Sequence, residues 1–317
     1  MSRHAKEQTS DGVGGLRPDD HGAAHASDDF LRCLEVWGGN TETTDKISVP
    51  GIDTVVYSRP HNGDESGGDL YYVSLCGSGN ISRFAVADVS GHGAGADHFA
   101  TSLKKLIRKH INTPNQAKFT RALNAEFNRI SEEGRFATAV LMTYYAPTDH
   151  LIVSNAGHPR PLFYRASIGE WMHLGPEMPM DLLASDALEV GVSNLPLGVL
   201  EPTDYEQFAL RLEVGDLVVV YTDSILEAAP PGGEQLGEHG LLKLASEVDP
   251  AEPEQFVERF VSLVRERQQV KEFQDDATVM LLHANNADPA RPSLKEAMGM
   301  LGRLIGLVPV IRKPASG

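Results

Sequence analysis

Apolar runs of β character arrive along this chain in two blocks, and two amphipathic helical patterns fill the gap between them. Thr54–Ser58, Leu70–Ser74 and Arg83–Asp88 form the first block. Ala137–Tyr145, His150–Ser154, Pro161–Tyr164, Leu217–Tyr221 and Ala277–His283 follow. Their β-branched and aromatic content, with Gly, Asn, Asp and Pro between them, reads as strands and turns. In 96–111, Phe99, Leu103, Leu106 and Ile107 share one helical face; in 119–132, Leu123, Phe127 and Ile130 do the same. Two more helices are expected at 241–248 and at 253–267, the latter through Phe256, Phe260 and Val264. Strands in blocks around a helix pair favour a sheet-rich α+β layering over regular βαβ alternation. The expected fold is a sandwich of sheets covered by helices.

At 317 residues the chain holds one large domain or two small ones. Its formal net charge of -16 argues against binding a nucleic-acid backbone, which needs a cationic surface. Cys33 and Cys76 lack a Cys-x-x-Cys spacing, so neither a zinc knuckle nor a disulfide framework is expected, and both read as reduced structural cysteines. The polar start shows no signal peptide, and no apolar stretch approaches the roughly 20 residues that span a bilayer. A soluble, cytoplasmic protein is expected.

Residues 1–28 carry almost no large apolar side chains and read as a disordered tail. The folded domain is expected over 29–283. Residues 284–317 read as a linker followed by an amphipathic helix, with Leu294, Met298, Leu301, Leu304 and Ile305 on one stripe. That stripe docks on the domain, pairs with a partner or touches a membrane. The segment Cys33–Asn40 stands apart, and its Trp37 is expected to be a packing anchor.

Four acidic strings sit where β-like runs begin or stop: Gly67-Gly68-Asp69, Asp88-Val89-Ser90-Gly91-His92-Gly93, Tyr221-Thr222-Asp223-Ser224 and Asp275-Asp276-Ala277-Thr278. A sheet protein presents such residues at one mouth. Gathered carboxylates repel unless cations neutralise them. All-oxygen ligands suit hard divalent ions such as Mg²⁺ or Mn²⁺. A metal-dependent hydrolase or phosphoryl-transfer enzyme is the leading reading.

With Phe136-Ala137-Thr138-Ala139, Asn155-Ala156-Gly157-His158-Pro159, Leu195-Pro196-Leu197-Gly198 and Gly215-Asp216 added in collinear order, the chain resembles the PPM (metal-dependent) protein serine/threonine phosphatase superfamily. Within it, the bacterial branch acting in sporulation and stress-response partner switching is the most similar. The resemblance runs from about Pro50 to His283. It implies an αββα sandwich of two antiparallel sheets with flanking helices and a two-metal site, Mn²⁺ or Mg²⁺, at one end. By position, Asp69, Asp88, Asp223, Asp275 and the Val89 carbonyl would be metal ligands, and Asp276 a supporting residue behind them. His92 is the candidate general acid, or alternatively a turn-stabilising residue. His158, Thr138 and Asn155 read as scaffold. Tyr72 and Ser224 stand where the branch often has Asp and Gly.

The implied activity is hydrolysis of phosphoserine or phosphothreonine on a regulatory protein, such as an anti-sigma-factor antagonist, by a metal-activated water. An activating partner is also implied. The competing reading is a phosphatase-like regulatory module that binds metal and a phosphoprotein partner with little or no turnover.

Overall fold

The computed structural model describes residues 34–39, 42–61, 67–76, 79–91, 94–131, 134–179, 181–183 and 193–285. The expected tail, nearly all of the C-terminal linker and the amphipathic helix after it, and Cys33 lie outside the described residues. The chain opens with β1 (Leu34–Gly38), β2 (Thr43–Val49), β3 (Ile52–Arg59), β4 (Asp69–Leu75) and β5 (Ile81–Val89). The helix pair α1 (Ala94–His110) and α2 (Gln116–Ile130) follows. Next come β6 (Ala137–Tyr145), β7 (His150–Ala156), β8 (Leu162–Arg165), β9 (Glu170–His173), β10 (Phe208–Arg211) and β11 (Leu217–Tyr221). The short α3 (Asp223–Leu226), then α4 (Gly237–Ala245), α5 (Pro253–Gln268) and β12 (Ala277–Ala284) complete it.

Two six-stranded sheets result, in the orders β1-β4-β5-β6-β7-β10 and β2-β3-β12-β11-β8-β9. Every pairing between these strands is antiparallel. Side-chain alternation divides the apolar residues between layers. Tyr71, Val73, Phe84, Val86, Val140 and Met142 of the first sheet meet Ile52, Val56, Val218, Val220 and Met280 of the second in a core between the sheets. The opposite faces are covered separately. Leu70, Tyr72, Ala85 and Ala87 pack under Leu103, Ile107, Leu123 and Phe127 of the α1–α2 pair. Val55, Val219 and Leu281 pack under Phe256, Phe260 and Val264 of α5 and Leu241 of α4. The architecture is therefore the expected α+β one, with two antiparallel sheets flanked by helices.

Local signals explain the helix limits. Asn115 caps α2, its side chain accepting from the Lys118 N–H at 2.9 Å. Pro253 opens α5, where its missing N–H is not needed, and Gln269 closes it in a left-handed conformation. Four strands escape the sequence reading: β1, β2, β9 and β10. β2 is an edge strand whose outward positions are Thr44, Lys46 and Ser48, and β9 and β10 have four residues each. Short or polar edge strands give little periodic signal. Cys76 is a half-buried thiol outside any disulfide, just beyond β4. No helix among the described residues is long and apolar enough to cross a membrane.

Candidate metal centre

β4 and β5 pair with Asp69 opposite Asp88, and Asp88 stands opposite Thr138 of β6. Both aspartates share strand parity with Tyr71, Phe84 and Val86, so they project between the sheets. Like charges directly opposite on a sheet are destabilising. The facing sheet adds more. Asp223 opens α3 just beyond β11, and Asp275 and Asp276 immediately precede β12; β11 and β12 are paired through Tyr221 and Val279. A hydrogen bond of 3.0 Å from Thr222 Oγ1 to Asp69 Oδ2 crosses the sandwich and closes this end.

The electrostatics record the crowding. Asp69 is only 1% exposed, and its pKa is pushed well up by burial and then by the neighbouring Asp88 charge, against the hydrogen bond from Thr222. Burial, then Asp223, Asp275 and Asp276, pushes Asp88 to about 7. Asp223 is also raised, by burial first and then by Glu227 and Asp275. A cation beside these groups would favour their charged forms and bring the raised values down.

Whether the residues fit a divalent ion is tested by what surrounds them. Among the described residues, no three Asp, Glu, His or Cys side chains already form a metal-holding group. The donor set is nevertheless the right kind, carboxylates with a backbone carbonyl. Asp69 Oδ1 is buried and has no hydrogen-bond partner in the protein, a costly arrangement unless something positive meets it. Gly68 leaves space beside the Val89 carbonyl: a Cβ there would stand 2.7 Å from that oxygen. Asp88 and Asp223 are half-buried and Asp275 is exposed, so these carboxylates are open to an ion arriving from solvent. The residues fit.

Asp276 is differently employed. Its two oxygens accept the backbone N–H groups of His61, at 2.7 Å, and Gly68, at 2.5 Å. It thereby clamps the two ends of the segment that delivers Asp69. A Cβ on Gly67 would stand 2.3 Å from the same carboxylate, which requires glycine there. The Val89 N–H bonds the Gly68 carbonyl at 3.2 Å, tying the β5 end to this segment.

His92 lies outside the described residues. His158 is buried, with Thr138 Oγ1 2.7 Å from its Nδ1. Asn155 bonds both its backbone N–H and its carbonyl, at 2.8 and 2.9 Å. The structure thus places all three as a braced turn at the end of β6 and β7. Tyr72 faces the α1–α2 core, away from the aspartates. Gly215-Asp216 lies at the far end of β11, where Asp216 forms a buried 2.5 Å ion pair with Arg165. Sequence reasoning assigned no role to Thr222 and Thr278, although each lies within an acidic string.

A profile of the stage II sporulation protein E (SpoIIE) family matches residues 78–285. No curated protein sequence matches significantly. The RsbU and RsbW domains of Rv1364c from Mycobacterium tuberculosis superpose with a TM-score of 0.62 at 20% identity, covering 78% of this chain and 64% of that one. This chain therefore spans less than two thirds of that relative. The PP2C phosphatase domain with a regulatory-domain fragment of the cell fate determinant SpoIIE from Bacillus subtilis gives 0.60 at 15% identity, covering 82% and 81%. RsbX in complex with magnesium gives 0.53 at 17% identity, covering 77% and 100%. At these identities the superpositions speak to the fold.

Proposed function

The chain belongs to the stage II sporulation protein E (SpoIIE) family, a family of PP2C-type metal-dependent phosphatases, and on that premise we propose that it removes phosphate from serine or threonine of a regulatory protein. The observation that carries this reading is the cross-strand pair of buried Asp69 and half-buried Asp88, with Asp69 Oδ1 left without a protein partner and Asp223 and Asp275 supplied from the side of the facing sheet. Asp69, Asp88, Asp223, Asp275 and the Val89 carbonyl would hold two ions, Mn²⁺ or Mg²⁺. When bound, such ions neutralise charge on the phosphoryl oxygens and lower the pKa of the attacking water.

The chain's own residues do the rest. Strand pairing sets Asp69 and Asp88 side by side, and Asp223 at the start of α3 and Asp275 before β12 stand near enough for their charges to raise Asp88. Asp276 keeps the Asp69 segment in place through two backbone N–H groups. His92 is the proposed proton donor to the leaving oxygen, on its position in the sequence alone. The proposed substrate, a small phosphorylated anti-sigma-factor antagonist, rests on family analogy. An activating partner belongs to the same analogy.

The test is hydrolysis of p-nitrophenyl phosphate by the parent and by Asp88→Asn and Asp223→Asn, with Mn²⁺ and with EDTA. Turnover that needs Mn²⁺ and falls by about 10²-fold or more in both variants is expected. Turnover in EDTA, or full activity in either variant, would remove these carboxylates from the chemistry.

A further inference from the structure

The Asp69 carboxylate accepts from one hydroxyl, that of Thr222, behind which stand two further buried hydroxyls from other strand ends. Thr222 Oγ1 donates to Asp69 Oδ2 at 3.0 Å and itself accepts the Thr278 N–H at 2.9 Å. The Thr222 N–H returns a 3.0 Å bond to the Thr278 carbonyl. Thr278 Oγ1 lies 3.0 Å from Ser58 Oγ, and Ser58 donates to the Gly39 carbonyl at 3.1 Å. All three side chains are fully buried.

The end of this chain of contacts is Gly39, just after β1, which lies against the backbone of Asp69. Gly39 has φ +119°, and a Cβ there would stand 2.6 Å from the Asp69 carbonyl oxygen. A Cβ on Gly38 would meet the Tyr71 ring within 2.6 Å. The family match begins at residue 78, so Gly39, Ser58 and Asp69 all lie before it.

Burial alone does not ask for hydroxyls at these positions. Valine fills the volume of threonine, and a buried hydroxyl without a partner is unfavourable. Their presence is explained by a carboxylate that must be presented in one orientation, since partners behind a metal ligand fix its rotamer and raise affinity.

We propose that Thr222, Thr278 and Ser58 are positioning residues for Asp69, holding Oδ2 so that Oδ1 is the oxygen offered to the ion and tying that orientation to Gly39 beyond β1. The proposal rests on the metal-phosphatase reading above. It predicts a defect in metal binding rather than in chemistry.

The experiment is isothermal titration of Mn²⁺ into the full chain, comparing the parent with Thr222→Val, Thr278→Val, Ser58→Ala and the conservative Thr222→Ser. Melting of each metal-free variant establishes that it is folded. Thr222→Val and Thr278→Val are expected to weaken Mn²⁺ by about 10–100-fold, Ser58→Ala by less, while Thr222→Ser stays within about threefold of the parent. In the hydrolysis assay, excess Mn²⁺ restores kcat in Thr222→Val but not in Asp69→Asn. If Thr222→Val does not fold, Thr278→Val and Ser58→Ala carry the same comparison. Folded variants that bind Mn²⁺ with the parent's Kd overturn the proposal and leave the phosphatase reading standing. A parent that binds no Mn²⁺ overturns both.

Discussion

His158 is buried beneath the carboxylate end with hydroxyl and amide neighbours, and burial pushes its pKa from 6.5 down to about 3. Between those values the unfolded chain takes up a proton that the folded chain refuses. Stability from this residue is therefore complete above about pH 6.5 and declines as the pH falls towards 3. The slope is at most about 1.4 kcal/mol per pH unit. Asp69, Asp88 and Asp223 have raised values, so in the metal-free protein they titrate in the opposite sense and stabilise as the pH falls. Comparing the parent with His158→Gln cancels that background. Denaturant unfolding of metal-free protein at pH 7.5, 6 and 5 should show a gap between the two that shrinks as the pH falls; a constant gap would contradict a neutral buried imidazole. The scaffold role of this turn was legible in Asn155-Ala156-Gly157-His158-Pro159, because Asn and Gly mark a tight turn. The Thr222 contact with Asp69 was not, since the partners are 153 positions apart and neither residue type announces the other.

Strand β1 illustrates what an element adds. It lies at the edge of its sheet, with Trp37 opposite Tyr72, and two contacts bind it to α1. Lys104 Nζ lies 2.9 Å from the Trp37 ring centroid, and Arg108 pairs with Glu35 at 3.0 Å. Trp37 is 40% exposed, so it is half packed, and the expectation of an anchor agrees with its place over α1. Magnitudes separate the two contacts. Trp37→Ala removes ring packing and a cation–π contact and should destabilise by about 1–2 kcal/mol. Glu35→Ala breaks an ion pair whose Arg108 is more than half exposed and should cost less than about 0.5 kcal/mol. Denaturant midpoints of both variants check the order, and a larger loss for Glu35→Ala would reverse the assignment. The principal strands and all four long helices were legible because their apolar faces repeat cleanly. β2 was not: its outward Thr44, Lys46 and Ser48 leave only Ile47 and Val49 as buried residues of the strand.

At the scale of the whole molecule, the sandwich brings together residues that the chain keeps more than 150 positions apart. Asp69 and Asp88 come from one sheet, Asp223 and Asp275 from the ends of the other, and three separate cores hold the layers in register. The acidic strings were legible as a shared mouth because each Asp marks a strand end. Which oxygen faces inward, and what braces it, depends on packing across the sandwich and has no local signature. The repulsion gathered at this end is what a divalent ion would relieve. The decisive measurement is phosphate release from a phosphoserine peptide as Mn²⁺ is titrated into the metal-stripped full chain, with melting followed in parallel. Release and thermal stability should rise together over the same Mn²⁺ range, and EDTA should abolish both. Phosphate release independent of Mn²⁺, or a melting temperature that Mn²⁺ does not change, would contradict that coupling.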